Sequence, residues 1–108
     1  MAEQYTKVDR LGSKSYYKDP AKTIRHREDG PAVEDVDGHK EWWVNGVLHR
    51  LDGPALEYVN GHKEWWVNGN RHRLNGPAVE YTSGYQLWYV DDIFIFAVDM
   101  DSKITSRM

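Results

Sequence analysis

The chain contains no cysteine, little phenylalanine and no long apolar run. Without cysteine it can form neither a disulfide framework nor a thiolate metal site, and this absence fits the cytosol. Its longest apolar run, Ile93 to Val98, has six residues, far short of the ~18 that a membrane span requires. Residues 1–10 are polar and lack the apolar segment of a signal peptide. We therefore expect a cytoplasmic protein that makes no membrane contact.

The chain also lacks a large excess of charge of one sign. The net charge is −3, from 14 basic and 17 acidic residues, which is too mild to predict a nucleic-acid binder or a DNA mimic. The length of 108 residues is typical of one domain with a thin core. Aromatic residues are what the chain has in excess, with five tryptophans and seven tyrosines.

One segment occurs three times at a constant step of 23 residues. It reads HREDGPA from His26, HRLDGPA from His49 and HRLNGPA from His72. A Trp-Trp-Val or Trp-Tyr-Val segment keeps the same step. This pattern predicts tandem repeats at 26–48, 49–71 and 72–94, within one domain at 16–98. We expect residues 1–15 to be a flexible lead-in and residues 99–108 to be a C-terminal tail.

Turn signals define the predicted fold. Asn45-Gly46, Asn60-Gly61 and Asn68-Gly69 predict type I′ hairpin turns, which require positive φ at both central residues. The stretches between the turns are rich in β-forming residues and lack helical periodicity. The Gly-Pro pair of each repeat cannot sit in a regular central strand and indicates a bend. The prediction is an all-β, continuous antiparallel meander of tandem 23-residue β-hairpin repeats, with two strands per unit.

The combination of a Trp-Trp pair, a turn Asn-Gly and a following His-Arg-x-Asp-Gly-Pro-Ala resembles the MORN (membrane occupation and recognition nexus) repeat. It is also similar to repeats of toxin–antitoxin and tailed-phage proteins. The resemblance covers residues 16–98. It implies an elongated twisted sheet that serves as a scaffold for protein association. The usual His-Gly-x-Gly segment of that family is replaced here by His-Arg-x-Asp/Asn-Gly-Pro, so lipid binding is not implied.

The aromatic pairs form two rows on opposite faces, because side chains alternate along a strand. One row is Trp42, Trp65 and Trp88, and the other is Trp43, Trp66 and Tyr89. The family resemblance assigns the core to the second row. The first row is then either covered by neighbouring segments or an exposed stripe that docks a partner, since tryptophan and tyrosine dominate binding hot spots.

The row of His26, His49 and His72 does not predict a metal site. Equivalent strands lie two spacings apart, roughly 9–10 Å, and zinc needs its histidine ligands at about 2 Å. We expect these histidines to bond to the backbone or stack on aromatic rings, with no metal and no cofactor. His39 and His62, next to turns, are expected at the surface.

Arginine and glutamate also recur at fixed positions. We expect Arg27, Arg50 and Arg73 to pair with Glu34, Glu57 and Glu80 and so fix the strand register. Asp29, Asp52 and Asn75 are expected to close the following turn through their own side chains. An active site normally occurs once and breaks a repeat, and the sequence contains no nucleophile–base or phosphate-loop motif. We therefore predict no catalytic residue and no enzyme.

Positions that differ between the repeats predict where a partner is recognised. With the first tryptophan row, they give the predicted partner-binding residues Trp42, Trp65, Trp88, Val47, Leu48, Arg71, Tyr58 and Tyr81. The apolar segment Ile93, Phe94, Ile95 and Phe96 predicts self-association, because an open apolar edge strand aggregates unless covered. It would close on the Tyr16-Tyr17 region or pair with a second chain in a homodimer.

These patterns favour a non-enzymatic protein-binding module that blocks or sequesters a bacterial enzyme or toxin. It would act as an antitoxin, or as a phage-encoded inhibitor of a bacterial defence or host enzyme in the host cytoplasm. Binding of nucleic acid or a nucleotide by arginines interleaved with tryptophan is an alternative, which the net acidity disfavours. Carbohydrate binding through the tryptophan row is a third.

Overall fold

The computed structural model describes residues 4–99 and 104–107, and these form an all-β antiparallel structure without a helix. This confirms the predicted all-β class. The described part measures 47 × 27 × 19 Å. The strands are β1 Tyr5–Val8, β2 Lys14–Tyr17, β3 Val33–Glu34, β4 Lys40–Glu41, β5 Trp43–Val44, β6 Val47–Leu48, β7 Leu56–Glu57, β8 Lys63–Glu64, β9 Trp66–Val67, β10 Asn70–Arg71, β11 Val79–Glu80, β12 Gln86–Val90, β13 Ile93–Val98 and β14 Ile104–Arg107.

The largest sheet, here the main sheet, has the strand order β1-β2-β3-β4-β7-β8-β11-β12-β13-β14. Three of its hairpins close through Asp37-Gly38, Asn60-Gly61 and Ser83-Gly84. In the second of these, Tyr58 N–H donates to the His62 carbonyl and Gly61 N–H donates to the Tyr58 carbonyl. Gly61 has φ 98° whereas Asn60 is not at positive φ. This is a three-residue loop with a left-handed glycine, so the predicted type I′ turn at Asn60-Gly61 is wrong.

Two further hairpins, β5–β6 and β9–β10, lie outside the main sheet. Their turns are Asn45-Gly46, with φ 52° and 80°, and Asn68-Gly69, with φ 51° and 80°. Positive φ at both central residues is the type I′ conformation, so these two predicted turns are confirmed. Asp91-Asp92 repeats the conformation at φ 51° and 66° without a glycine.

Backbone hydrogen bonds join these hairpins side by side into what we call the hairpin row, which comprises residues 24–27, 43–50, 66–73 and 89–94. Gly46 N–H donates to the Arg25 carbonyl, Gly69 N–H to the Leu48 carbonyl and Asp92 N–H to the Arg71 carbonyl. The hairpin row is therefore a second strip of paired strands, which joins the main sheet at β12 and β13. The predicted continuous meander with two strands per unit misses this division.

The chain crosses between the main sheet and the hairpin row at the first tryptophan of each pair. Trp42 N–H donates to the Ala55 carbonyl in the main sheet, while its carbonyl accepts from His49 N–H in the hairpin row. Trp65 does the same with Ala78 and His72. The backbone of one residue thus bonds to both strips, and the two tryptophans of a pair belong to different surfaces.

The ends of the domain differ from the sequence-based expectation. Residues 5–8 and 14–15 of the predicted lead-in belong to the paired strands β1 and β2. Within the predicted tail, β14 pairs with β13 at Phe96, Ala97 and Val98. Phe96, the last residue of the predicted self-association segment, is therefore paired with a strand of the same chain rather than with the Tyr16-Tyr17 region. Self-association through Ile93–Ile95 stays a prediction, and residues 1–3, 100–103 and 108 lie outside the described part.

The core is thin and made of small side chains. Its buried members are Tyr17, His26, Ala32, Ala55, Leu56, Pro77, Ala78, Val79 and Ala97. Both tryptophan rows are half-buried, in contrast to the prediction that the second row forms the core. Because no large side chain among the described residues is fully buried, stability depends strongly on the polar and aromatic contacts that cover the strips.

Candidate protein-binding surface

The first tryptophan row is covered by arginines from the same chain. The Arg50 guanidinium lies 3.8 Å from the ring centroid of Trp42, and Arg73 lies 3.8 Å from that of Trp65. In the last unit the ring of Phe96 takes this place, stacked on Trp88 with centroids 4.5 Å apart. These are cation–π and stacking distances, so the predicted binding stripe has one ring face occupied internally.

Each of these arginines is also held by hydrogen bonds. Arg50 donates from Nε to Asp52 at 3.0 Å and from Nη1 to the Pro54 carbonyl and to Glu57, both at 3.0 Å. Equivalent bonds join Arg27 to Glu34 and Arg73 to Glu80, which confirms the predicted arginine–glutamate pairing. Asp29 and Asp52 were expected to close the turns that follow them. Their side chains bind Arg27 and Arg50 instead.

An open groove of ≈ 640 Å³ lies between the Arg27 and Arg50 loops, with Trp42 in its lining. Its rim carries the exposed carboxylates of Asp29 and Asp52 and the exposed side chain of Leu51. The guanidinium groups inside the groove are already bonded to carboxylates and carbonyls of the chain. The groove therefore offers few free donors, and its polar groups serve chiefly to hold the fold.

The histidine row binds the backbone, as predicted. Nδ1 of His26, His49 and His72 accepts the N–H of Asn45, Asn68 and Asp91, at 2.9, 2.9 and 3.0 Å. Each donor is the first central residue of a type I′ turn. The imidazoles therefore anchor the turns of the hairpin row.

A second set of rings lines the loop side of the main sheet. His39, Tyr58, His62, Tyr81 and Tyr85 follow one another with centroids 4.8–5.8 Å apart. His39 and His62 are half-buried rather than fully at the surface. Burial, together with the nearby carboxylates of Glu64 and Glu41, raises the pKa of Tyr58. The predicted partner-binding residues Tyr58 and Tyr81 thus form part of a packed ladder of rings.

The second tryptophan row lines an apolar depression in the hairpin row, which we call the trough. Its volume is ≈ 240 Å³, and it is lined by Trp43, Gly46, Val47, Leu48, Trp66 and Gly69. The indole nitrogens of Trp43 and Trp66 donate to Glu41 and Glu64 at 2.8 and 2.9 Å. Both rings are thereby held in place with their polar atoms satisfied, and the trough presents mainly apolar surface.

Arginines flank the trough at a greater distance than in the first row. Arg25 lies 5.3 Å from the Trp43 centroid and Arg71 lies 5.6 Å from that of Trp66. Compared with 3.8 Å at Trp42, these contacts leave the trough rings less covered. Arg71 is also bonded to Asp92 at 2.9 Å, and that hydrogen bond lowers the pKa of the Asp92 carboxyl.

The predicted site residues therefore fall into three places. Val47, Leu48 and Arg71 lie together at the trough, whereas the two tyrosines and the first tryptophan row lie elsewhere. Sequence reasoning missed the partners that complete the trough, namely Trp43, Trp66 and Arg25. Alternation placed the tandem tryptophans on opposite faces, but periodicity alone did not indicate which face an arginine would cover.

One group of residues has the spacing of metal ligands, namely Asp35, Asp37 and His39 in the first main-sheet loop. Asp35 accepts the Ser13 hydroxyl at 2.6 Å and His39 Nδ1 accepts the Val59 N–H at 3.1 Å. Two of the three side chains therefore already have structural partners, and the third, Asp37, is exposed.

No family model, curated protein or solved structure matches the chain. Within residues 4–99 and 104–107, the structure contains no helix of the length and apolar character that crossing a membrane requires.

Proposed function

We propose that the chain is a non-enzymatic protein-binding module built from tandem 23-residue hairpin units of the MORN-like kind. Contacts that recur at this step support the repeat. Arginine binds the glutamate seven positions later in all three units, and histidine binds the next hairpin turn in all three. A scaffold of this kind holds variable side chains in fixed places along an extended surface.

The trough carries the proposal. It combines two half-buried indoles with Leu48 and the 41% exposed Val47, and its polar ring atoms are bonded within the chain. Rigid aromatic side chains with satisfied polar atoms lose little conformational entropy and few hydrogen bonds to water on binding. Such side chains form the hot spots of protein interfaces. The repeated contacts elsewhere keep the surface rigid.

The biological role that we propose is occlusion of a partner. The module would block or sequester a bacterial enzyme or toxin in the cytoplasm, as an antitoxin or as a phage-encoded inhibitor of a defence or host enzyme. The resemblance to toxin–antitoxin and phage repeats supports this role. The identical polar contacts of successive units also support it, because catalysis needs one asymmetric constellation.

The proposal is tested by capturing partner proteins from bacterial lysate with the wild-type chain and with two matched variants. Val47→Glu places a negative charge in the trough. Leu74→Glu places the same charge at a residue that is 81% exposed in the loop between β10 and β11. We expect wild type and Leu74→Glu to retain one stoichiometric protein that Val47→Glu loses. Recovery of no stoichiometric protein, or equal recovery by both variants, would contradict the proposal.

Nucleic-acid binding is the second candidate, because Arg71 lies 4.1 Å from the Tyr89 ring and Arg25 lies near Trp43. Such arginine–aromatic pairs stack on bases in single-stranded complexes. Binding to short single-stranded oligonucleotides that weakens steeply with added salt would support this candidate. We rank it second because the chain is acidic overall.

A further inference from the structure

The trough continues into a second pocket of different chemistry. This cationic pocket has a volume of ≈ 290 Å³ and is lined by Tyr17, Lys22, Thr23, Arg25, Trp43 and Gly46. Trp43 and Gly46 line both spaces. A single indole therefore separates an apolar compartment from one that carries two basic side chains.

The basic side chains of the cationic pocket are free to meet an anion. Lys22 and Arg25 are both exposed, and neither forms an ion pair within residues 4–99. Of the acids nearest to them in sequence, Glu28 contacts His26, and Asp19 accepts hydrogen bonds from Thr23 and Ile24 and closes its own turn. These bonds, with that of the Thr23 hydroxyl the strongest, lower the pKa of the Asp19 carboxyl.

At the opposite end of the trough, the basic side chain is already paired with an acid. Arg71 lies there, but its Nε donates to Asp92 at 2.9 Å. Free positive charge is thus confined to the Arg25 end. A ligand that carries one negative group and one apolar group is therefore favoured in a single orientation.

The spacing of the two compartments sets the spacing of those groups. In the hairpin row, β5 lies between the segment that carries Arg25 and the strand that carries Leu48. The two residues are therefore two strand spacings apart, or roughly 9–10 Å. In a polyproline II segment, side chains three residues apart share a face and lie about 9.3 Å apart along the axis. An extended strand would place the same two side chains on opposite faces.

The geometry points to a partner protein that presents an acidic residue followed three positions later by a large apolar residue, in polyproline II conformation. The acidic group enters the cationic pocket beside Lys22 and Arg25. The apolar group enters the trough between Trp43 and Trp66. This inference rests on the proposed protein-binding function and specifies the segment that the module recognises.

Selection from a display library of random octapeptides tests this directly. The wild-type chain is expected to enrich acidic–x–x–apolar peptides, often with proline between the two groups. Arg25→Glu combined with Lys22→Glu is expected to enrich basic–x–x–apolar peptides instead. Lys7→Glu combined with Arg10→Glu, two exposed positions outside the pocket, makes the same change in charge and is the matched control, which should keep the acidic pattern.

Synthetic peptides then measure the spacing. Adding or removing one residue between the acidic and apolar groups should weaken binding by roughly tenfold, as should replacing glutamate by glutamine. Enrichment of acidic peptides by the charge-reversed variant, or indifference to spacing, would overturn the inference. Tighter, Arg25-dependent binding of single-stranded DNA than of any selected peptide would also overturn it.

Failure of this inference can be told apart from failure of the proposed function. If no peptide pattern is enriched while lysate capture still depends on Val47, protein binding stands and the acidic motif is wrong. If both experiments fail, the trough is not a protein-binding surface.

Discussion

The guanidinium of Arg50 occupies the space where a side chain on Gly53 would lie. A Cβ at Gly53 would stand 2.8 Å from Cζ of Arg50, and the guanidinium cannot move aside freely because it bonds Asp52, Pro54 and Glu57. Gly53 is not at positive φ, so its backbone conformation does not require glycine. The glycine is needed because the Arg50 guanidinium lies so close to its Cα.

This relationship predicts that Gly53→Ala destabilises the fold by about 1–3 kcal/mol, the usual cost of overpacking. Urea unfolding of the single variant measures the loss. In an Arg50→Ala background the same glycine change should cost less, because the obstructing group is gone. A cost unaffected by the presence of Arg50 would show that the close approach is not the cause.

A second prediction concerns the bonding of Arg50 itself. Arg50→Lys keeps the positive charge but loses the planar fork that stacks on Trp42 and bonds three acceptors. We expect a loss of about 1.5–3 kcal/mol in the free energy of unfolding, the range for hydrogen bonds to charged groups. Arg10→Lys, at an exposed turn, should change stability by less than about 0.5 kcal/mol. Equal effects at both positions would refute the assigned role.

The histidine-to-turn bond gives a third prediction. His49→Ala removes the acceptor for the Asn68 N–H and should destabilise by about 0.5–1.5 kcal/mol, the net value of one hydrogen bond. Amide hydrogen exchange is the specific readout, because the Asn68 amide should exchange faster while amides of the main sheet change little. Unchanged exchange at Asn68 would mean that the imidazole does not hold this turn.

Acid should weaken the contact between Arg71 and Asp92. The Arg71 hydrogen bond lowers the pKa of the folded Asp92 carboxyl below its ordinary value. The stabilisation is therefore fully present above the unfolded pKa and is lost as pH falls through the folded pKa. We expect Asp92→Asn to be less stable than wild type near neutral pH, with the difference vanishing in strong acid.

Urea midpoints of Asp92→Asn and wild type at a series of pH values check this. Asp37→Asn, at an exposed loop position, serves as the control and should show no comparable convergence. A difference that stays constant with pH would contradict the assigned pairing.

Local signals in the sequence were enough for part of this fold. Asn45-Gly46 and Asn68-Gly69 could be predicted because few residues tolerate positive φ at both turn positions. The pairing of Arg50 with Glu57 could be predicted because both residues recur at one step. Asn60-Gly61 was misassigned, since an Asn-Gly pair also fits a three-residue loop, and the loop length depends on the register of the flanking strands.

The division into main sheet and hairpin row could not be predicted from local sequence. It depends on the bond from Trp42 N–H to the Ala55 carbonyl, a contact between residues far apart in the chain. The coverage of the tryptophans follows from the same crossing, because it places Trp42 under Arg50 and leaves Trp43 beside Leu48. Identical residue types thus acquire different neighbours from long-range pairing alone.

Hydroxyl-radical footprinting of the chain with and without its captured partner tests most directly whether the trough is the binding surface. We predict that oxidation of Trp43 and Trp66 falls on binding, while oxidation of Trp42 and Trp65 beneath their arginines stays the same. Protection of Trp42 and Trp65 with no change at Trp43 and Trp66 would contradict the account.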